Sequence, residues 1–267
     1  MKKRIFVILL VALAWLSTTQ NVNFAVTKET IDTTSISKGI VSISFKATDK
    51  LKYKVLVTKD DKKIAYPFTA DGNVENFPLQ LGNGTYKVGL LKNVSGTKYA
   101  YVSQKSFTLN LEDENIVYLN TIQNVKWDEE MSAIEFGQTL LKSSKTDNTK
   151  LKTLYGYLVK NMSYDYDKIP TLTSDYVPDV QKTYDDLKGI CYDYSALFAS
   201  IQRNHSVPTK LVKGYSKYVE GYHAWNEMLI DGKWVIIDNT VDSTWKGTKS
   251  GVTMVKNAKY YTKVYEY

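Results

Sequence analysis

Between residues 39 and 111, apolar side chains fall at every second position in short bursts separated by turn residues. A chain patterned this way must pleat, because successive side chains of a strand point to opposite faces. Val41, Ile43 and Phe45 form one such face, and Tyr53, Val55 and Val57 the next. Ile64, Tyr66 and Phe68 follow, then Phe77, Leu79 and Leu81. After the turn Gly82-Asn83-Gly84 come Tyr86, Val88 and Leu90. Tyr99 with Tyr101, then Phe107, Leu109 and Leu111, complete seven strands. Asp60-Asp61, Asp71-Gly72-Asn73 and Ser95-Gly96 supply turns between them. Seven half-buried strands at this spacing predict an immunoglobulin-like or fibronectin-like sandwich, assigned to residues 26–118. It contains no titratable cluster, so its expected role is spacer or binding module. Clean alternation also predicts that it closes its own core, leaving a fragment from about residue 118 able to fold alone.

The period changes past residue 120. Asp128 to Lys142 reads as a helix, and Leu151, Leu154, Tyr155, Leu158, Val159 and Met162 recur on one helical face. Residues 163–188 read as loop-rich, with Pro170 and Pro178 and many tyrosines and aspartates. A third helix starts near Cys191 and strands follow it. Helices followed by strands predict an α+β domain over residues 119–267.

Ahead of both domains, Lys2, Lys3 and Arg4 precede a twelve-residue apolar run, Ile5 to Leu16, and then polar residues. This is the layout of a secretory signal peptide, assigned to residues 1–25, and the run is short for a membrane span. The expected protein is secreted or on the cell surface, off the membrane once the leader is cut. Removing residues 1–25 takes away three basic residues and no acidic one, so the net charge of +7 becomes +4. The basic residues are mostly lysines scattered along the chain, which argues against nucleic-acid binding. Two histidines and one cysteine, far apart in sequence, give no metal site, and no cofactor motif is present.

One cysteine in an exported chain means no internal disulfide, and the lone thiol must be either buried or useful. In GICYDYSALFASIQRNHSVP, residues 189–208, Tyr194, Leu197, Phe198 and Ile201 form the apolar stripe of a helix that stops before Pro208. Cys191 then occupies the first turn, where unpaired N–H groups and the helix dipole favour a thiolate. Gly189 allows close backbone approach just ahead of it. A buried structural cysteine fits the same position. The segment GYHAWNEMLIDGKWVIIDNT, residues 221–240, discriminates better. Asp231-Gly232 between apolar runs is a two-residue hairpin signal. Ile230 then faces Lys233, paired positions sum to 463, and Trp225 faces Asp238. His223 and Asp238 share a face as diagonal neighbours, roughly 7 Å apart at the backbone. His205, at the far end of the cysteine helix, is expected to be a solvent-exposed cap.

These strings resemble the core of the transglutaminase-like superfamily, as in a secreted bacterial member. In that family a cysteine opens a helix, a histidine lies in an H-A-W strand, and an aspartate follows a G-K-W hairpin. The helix LKTLYGYLVKNMSYDYD is similar as well, so the resemblance covers about residues 148–242. Two positions depart from it: Asn239 stands where the family often has proline, and Ser206 where a glycine usually closes the helix. The resemblance implies a papain-like triad in which Cys191 attacks an amide carbonyl, His223 moves protons and Asp238 orients His223. It also implies acyl transfer through a thioester, on protein or peptide substrates that include cell-wall peptides. Water as acceptor gives a peptidase or amidase, and an amine gives cross-linking. A surface or wall-binding protein that keeps the fold only as a scaffold is the alternative. Tyr192, Tyr222 and Trp225, with Tyr194, lie beside the triad in sequence and are candidate walls of a substrate site, with ordinary packing as the competing role.

Overall fold

The computed structural model describes residues 30–245 and 253–267. The expected leader lies outside the described residues, and none of the described helices is long and apolar enough to cross a membrane.

Seven strands come first: β1 (Thr30–Asp32), β2 (Ile40–Lys46), β3 (Tyr53–Lys59), β4 (Lys62–Phe68), β5 (Asp71–Pro78), β6 (Gly84–Ser95) and β7 (Lys98–Leu109). They form two antiparallel sheets, β1-β2-β5 and β4-β3-β6-β7. In β2, β3, β4 and β6 the alternating faces read from the sequence are the buried ones, and rings meet across the two sheets. Phe45 and Tyr53 lie 5.3 Å apart, and Tyr66 and Phe77 5.2 Å. The strands differ from expectation in three places, the first being β5, which starts at the expected turn Asp71-Gly72-Asn73 and ends before Leu79 and Leu81. β1 is too short to show alternation, and the bursts at 99–101 and 107–109 belong to one strand. As an edge strand β7 is largely exposed, so the polar run Ser103–Ser106 does not interrupt its pairing with β6. At the start of β6 the Tyr86 hydroxyl lies 2.8 Å from the Leu79 carbonyl and 2.9 Å from that of Gly82, and accepts from the Leu81 N–H. That clasp fixes the corner between β5 and β6.

The second region contains α1 (Ser132–Leu141), α2 (Asp147–Asn161), β8 (Ser163–Tyr164), α3 (Val180–Asp186), β9 (Lys188–Gly189) and α4 (Cys191–Asn204). Then come β10 (Thr209–Ser216), β11 (Val219–Ile230), β12 (Lys233–Ile237), α5 (Asn239–Trp245), β13 (Val255–Lys256) and β14 (Tyr261–Glu266). Strands β10 to β14 make one antiparallel sheet in the order β13-β12-β11-β10-β14. Helix α4 packs on β10 and β11 and is surrounded by α1, α2, α3 and α5. It is buried from Tyr192 to Arg203, which is why its sequence is apolar on more than one face.

Helix α1 starts later than its periodicity suggests, because Asp128 caps a turn through the Glu130 N–H before the helix begins. Helix α2 opens on a reciprocal cap between Thr146 and Thr149. Helices α3 and α5 fall where loop and strand were expected. Each has only seven residues, and each rests on an aspartate cap: Asp179 accepts from Lys182 N–H, and Asp238 from Val241 N–H.

Candidate active site

Cys191 is the first residue of α4 and is half-buried. The turn that presents it is fixed by Asp193, two residues on and fully buried. The Asp193 carboxylate accepts the Ile190 N–H at 2.9 Å, the Lys168 ammonium at 2.7 Å and the Tyr176 hydroxyl. A Cβ on Gly189 would lie 2.6 Å from the Asp193 Cβ and 3.0 Å from its Oδ2, so only glycine lets that carboxylate fold back over the helix start. The Cys191 backbone N–H faces the Tyr164 hydroxyl on β8.

His223 lies on β11, and the β11–β12 register is the one a two-residue turn at Asp231-Gly232 requires, with Ile230 opposite Lys233 and Asn226 opposite Ile237. His223 and Asp238 are 2% and 0% exposed, and His223 Nε2 is 2.9 Å from Asp238 Oδ2. The same oxygen accepts the Tyr261 hydroxyl at 2.8 Å, while Oδ1 caps α5 through the Val241 N–H at 3.1 Å. The other ring nitrogen, Nδ1, is left free of Asp238, on a side chain that shares its cavity with Cys191. Burial opposes charge on His223, but the Asp238 carboxylate and its hydrogen bond, with Cys191 nearby, outweigh it and push its pKa up to about 10. The pair is therefore built to hold an imidazolium beside sulfur.

Cys191 and His223 open onto one cavity of about 450 Å³. Its walls include Tyr164, Tyr176, Tyr192, Tyr222 and Lys213. Of the expected wall residues, Tyr192 and Tyr222 line the cavity, Tyr192 with its hydroxyl taken by the Asn124 amide and Tyr222 half-exposed. Trp225 does not line it. That ring is 1% exposed and backs the site, 6.2 Å from the His223 ring and 5.0 Å from Tyr261. Trp225 is paired with Val212, and its ring reaches diagonally over Gly214, where a Cβ would meet the Thr262 carbonyl oxygen at 2.0 Å and Trp225 at 3.0 Å. Tyr194 is fully buried and bonds Ser243. His205 is half-buried at the far end of α4, with Nδ1 2.9 Å from the Ile201 carbonyl.

Residues of the site that were not singled out from the sequence include Asp193 with its partners Lys168 and Tyr176, and also Tyr164, Tyr261 and Lys213. Tyr164 sits in the MSYDYD string already noted for its resemblance. Tyr261 and Lys213 carry no motif, and their positions depend on β14 and β10 pairing, which no local pattern announces.

Residues 134–239 match the family model described as the transglutaminase-like superfamily, a span that includes Cys191, His223 and Asp238. A comparison with curated proteins finds no match. Among solved structures, the chain is similar to a proposed cysteine protease from Cytophaga hutchinsonii, at 13% identity and a TM-score of 0.46, over 85% of this chain and 83% of that one. It is also similar to the periplasmic domain of TgpA from Pseudomonas aeruginosa, at 13% identity and a TM-score of 0.39, over 76% and 72%. Red sea bream transglutaminase aligns at 11% identity and a TM-score of 0.35, over 75% of this chain and 48% of its own. With an all-β region ahead of it, residues 134–239 form a domain of the transglutaminase-like superfamily.

Proposed function

We propose that this protein is an exported cysteine enzyme that cleaves or transfers amide bonds of peptide material through a thioester. The observation that carries the reading is His223, hydrogen-bonded to Asp238 and sharing an open cavity with Cys191. In the first step the Cys191 sulfur adds to an amide carbonyl. The resulting oxyanion is stabilised by the Cys191 N–H, with the Tyr164 hydroxyl beside it as a second donor. His223 then gives its proton to the departing amine, leaving the acyl group on sulfur. In the second step His223 takes a proton from the acceptor as the acceptor attacks the thioester, and Cys191 is released. Asp238 keeps Nε2 in contact with carboxylate throughout, so that Nδ1 faces sulfur.

A purely scaffolding role is disfavoured by the buried pair itself. Holding Asp238 and His223 away from water costs stability, and a scaffold gains nothing from aiming them at a thiol. Export rests on the basic and then apolar residues 2–16, and cell-wall peptide is the substrate that export favours. Product analysis on a peptide and wall-fragment library, with and without millimolar primary amine, is the test. Free acid as the only product at every amine concentration supports a peptidase or amidase, and capture by amine supports cross-linking. Cys191→Ala should abolish both. Product formation that survives Cys191→Ala would sink the proposal.

A further inference from the structure

Lys213 differs from most of the partly buried lysines, and of the half-buried lysines held only by aromatic rings (Lys54 over Tyr99 is the other) it is the one beside Cys191. Lys168, Lys210, Lys256 and Lys263 each pair with a carboxylate, on Asp193, Glu266, Asp242 and Glu227 respectively. Lys213 has no hydrogen bond and no acidic partner among the described residues, although it lines the Cys191 cavity. Its ammonium sits 3.5 Å from the centre of the Tyr192 ring and 5.4 Å from that of Tyr267. Two aromatic faces hold the cation in position but leave its hydrogen-bond donors unspent.

The position follows from the sheet. Lys213 on β10 is directly opposite Ala224 on β11, one residue along from His223. Directly opposed residues share a face, and Ala224 also lines the cavity. Glu220 is the carboxylate among the described cavity walls, and it makes no ion pair with Lys213. Burial lowers the Lys213 pKa to about 8, so an anion arriving beside it would strengthen its charge.

We propose that Lys213 is a specificity residue that receives a carboxylate of the acyl donor close to the reacting carbonyl. The proposal deepens the amide-transfer reading and rests on it for the identity of the reaction. Holding one unpaired cation out of water is unfavourable until a substrate anion completes the pair, which is how a site rejects donors that lack the anion. A terminal α-carboxylate and an acidic side chain present the same chemistry. A donor with a free terminus and a donor with an acidic residue but a blocked terminus separate the two.

The test uses the single cysteine of the chain, so alkylation reads this cavity alone. In both iodoacetate and iodoacetamide the Cys191 sulfur displaces iodide from the same carbon; one carries a carboxylate where the other carries a carboxamide. The ratio of their rates cancels the ionisation of sulfur. Against the same protein unfolded in urea, folded wild type should raise the iodoacetate-to-iodoacetamide ratio by about tenfold or more. Lys213→Met should return most of that gain, and Lys213→Arg should keep it. A folded wild type with no gain over the urea state overturns the proposal without any variant. So does a Lys213→Met or Lys213→Gln protein that keeps the wild-type ratio. Because the readout needs no turnover, this proposal and the amide-transfer reading can fail separately.

Discussion

Both oxygens of Asp238 are committed, Oδ2 to His223 and Tyr261 and Oδ1 to the first turn of α5. Asparagine can still cap a helix, so Asp238→Asn should fold while losing the charge that holds His223. Turnover should fall roughly 10²-fold or more, as with aspartate orienters in other triads. The same variant gives a pH signature. A histidine whose folded pKa is raised from 6.5 to about 10 contributes stability that is complete below 6.5 and is lost as pH rises through 10. Urea midpoints of wild type and Asp238→Asn should therefore differ most near pH 6 and converge toward pH 10. Tyr164→Phe removes the proposed second oxyanion donor and should lower kcat about tenfold or more with little change in KM. The His223–Asp238 pairing was legible because a two-residue turn converts sequence distance into register. Tyr261 was not, because it arrives from β14, an edge strand that follows no recognisable turn.

At the scale of elements, the end of α4 shows what one departure from a familial pattern means physically. Ser206 N–H bonds the Arg203 carbonyl and Val207 N–H the Gln202 carbonyl, the two bonds of a Schellman closure. That closure puts Ser206 at φ +60, in the left-handed region that favours glycine. Ser206→Gly should therefore stabilise the fold by about 1 kcal/mol, read as a higher urea midpoint with unchanged turnover. An unchanged or lower midpoint would mean that the serine is held there at no cost. Long elements were readable from periodicity, as α2, α4 and the strands β2, β3, β4 and β6 show. Helices α3 and α5 were not, since two turns cannot display a 3.6-residue period, and their forming depends on a cap and on packing against α4. The loop-rich reading of residues 163–188 holds for most of 165–179 and misses the short elements β8 and α3 for the same reason.

At the scale of the whole molecule, packing runs across the boundary near residue 118. The Tyr66 ring meets Tyr267 edge-on at 5.7 Å, and Gln80 donates to the Glu266 carbonyl at 3.1 Å. Asn76 and Gln123 are cross-linked by hydrogen bonds, Asn76 to the Thr121 carbonyl and Gln123 to the Asn76 and Pro67 carbonyls. Buried Arg203 gathers the carbonyls of Asn120, Thr209 and Tyr267, tying the linker, β10 and the last residue to α4. Alternation along a strand reports which face is buried, but not that an end of the sandwich is covered by another region. Tyr267 matters most here, because it is flanked by Tyr66 on one side and lies near Lys213 on the other. A fragment of residues 119–267 strips that cover from Tyr267 and should melt well below the full chain. Where it remains folded, the looser Tyr267 should free Lys213, and the iodoacetate-to-iodoacetamide ratio should drop toward that of Lys213→Met. A fragment with the melting temperature and the ratio of the full chain would make the all-β region a passive spacer, and the coupling through Tyr267 would be wrong.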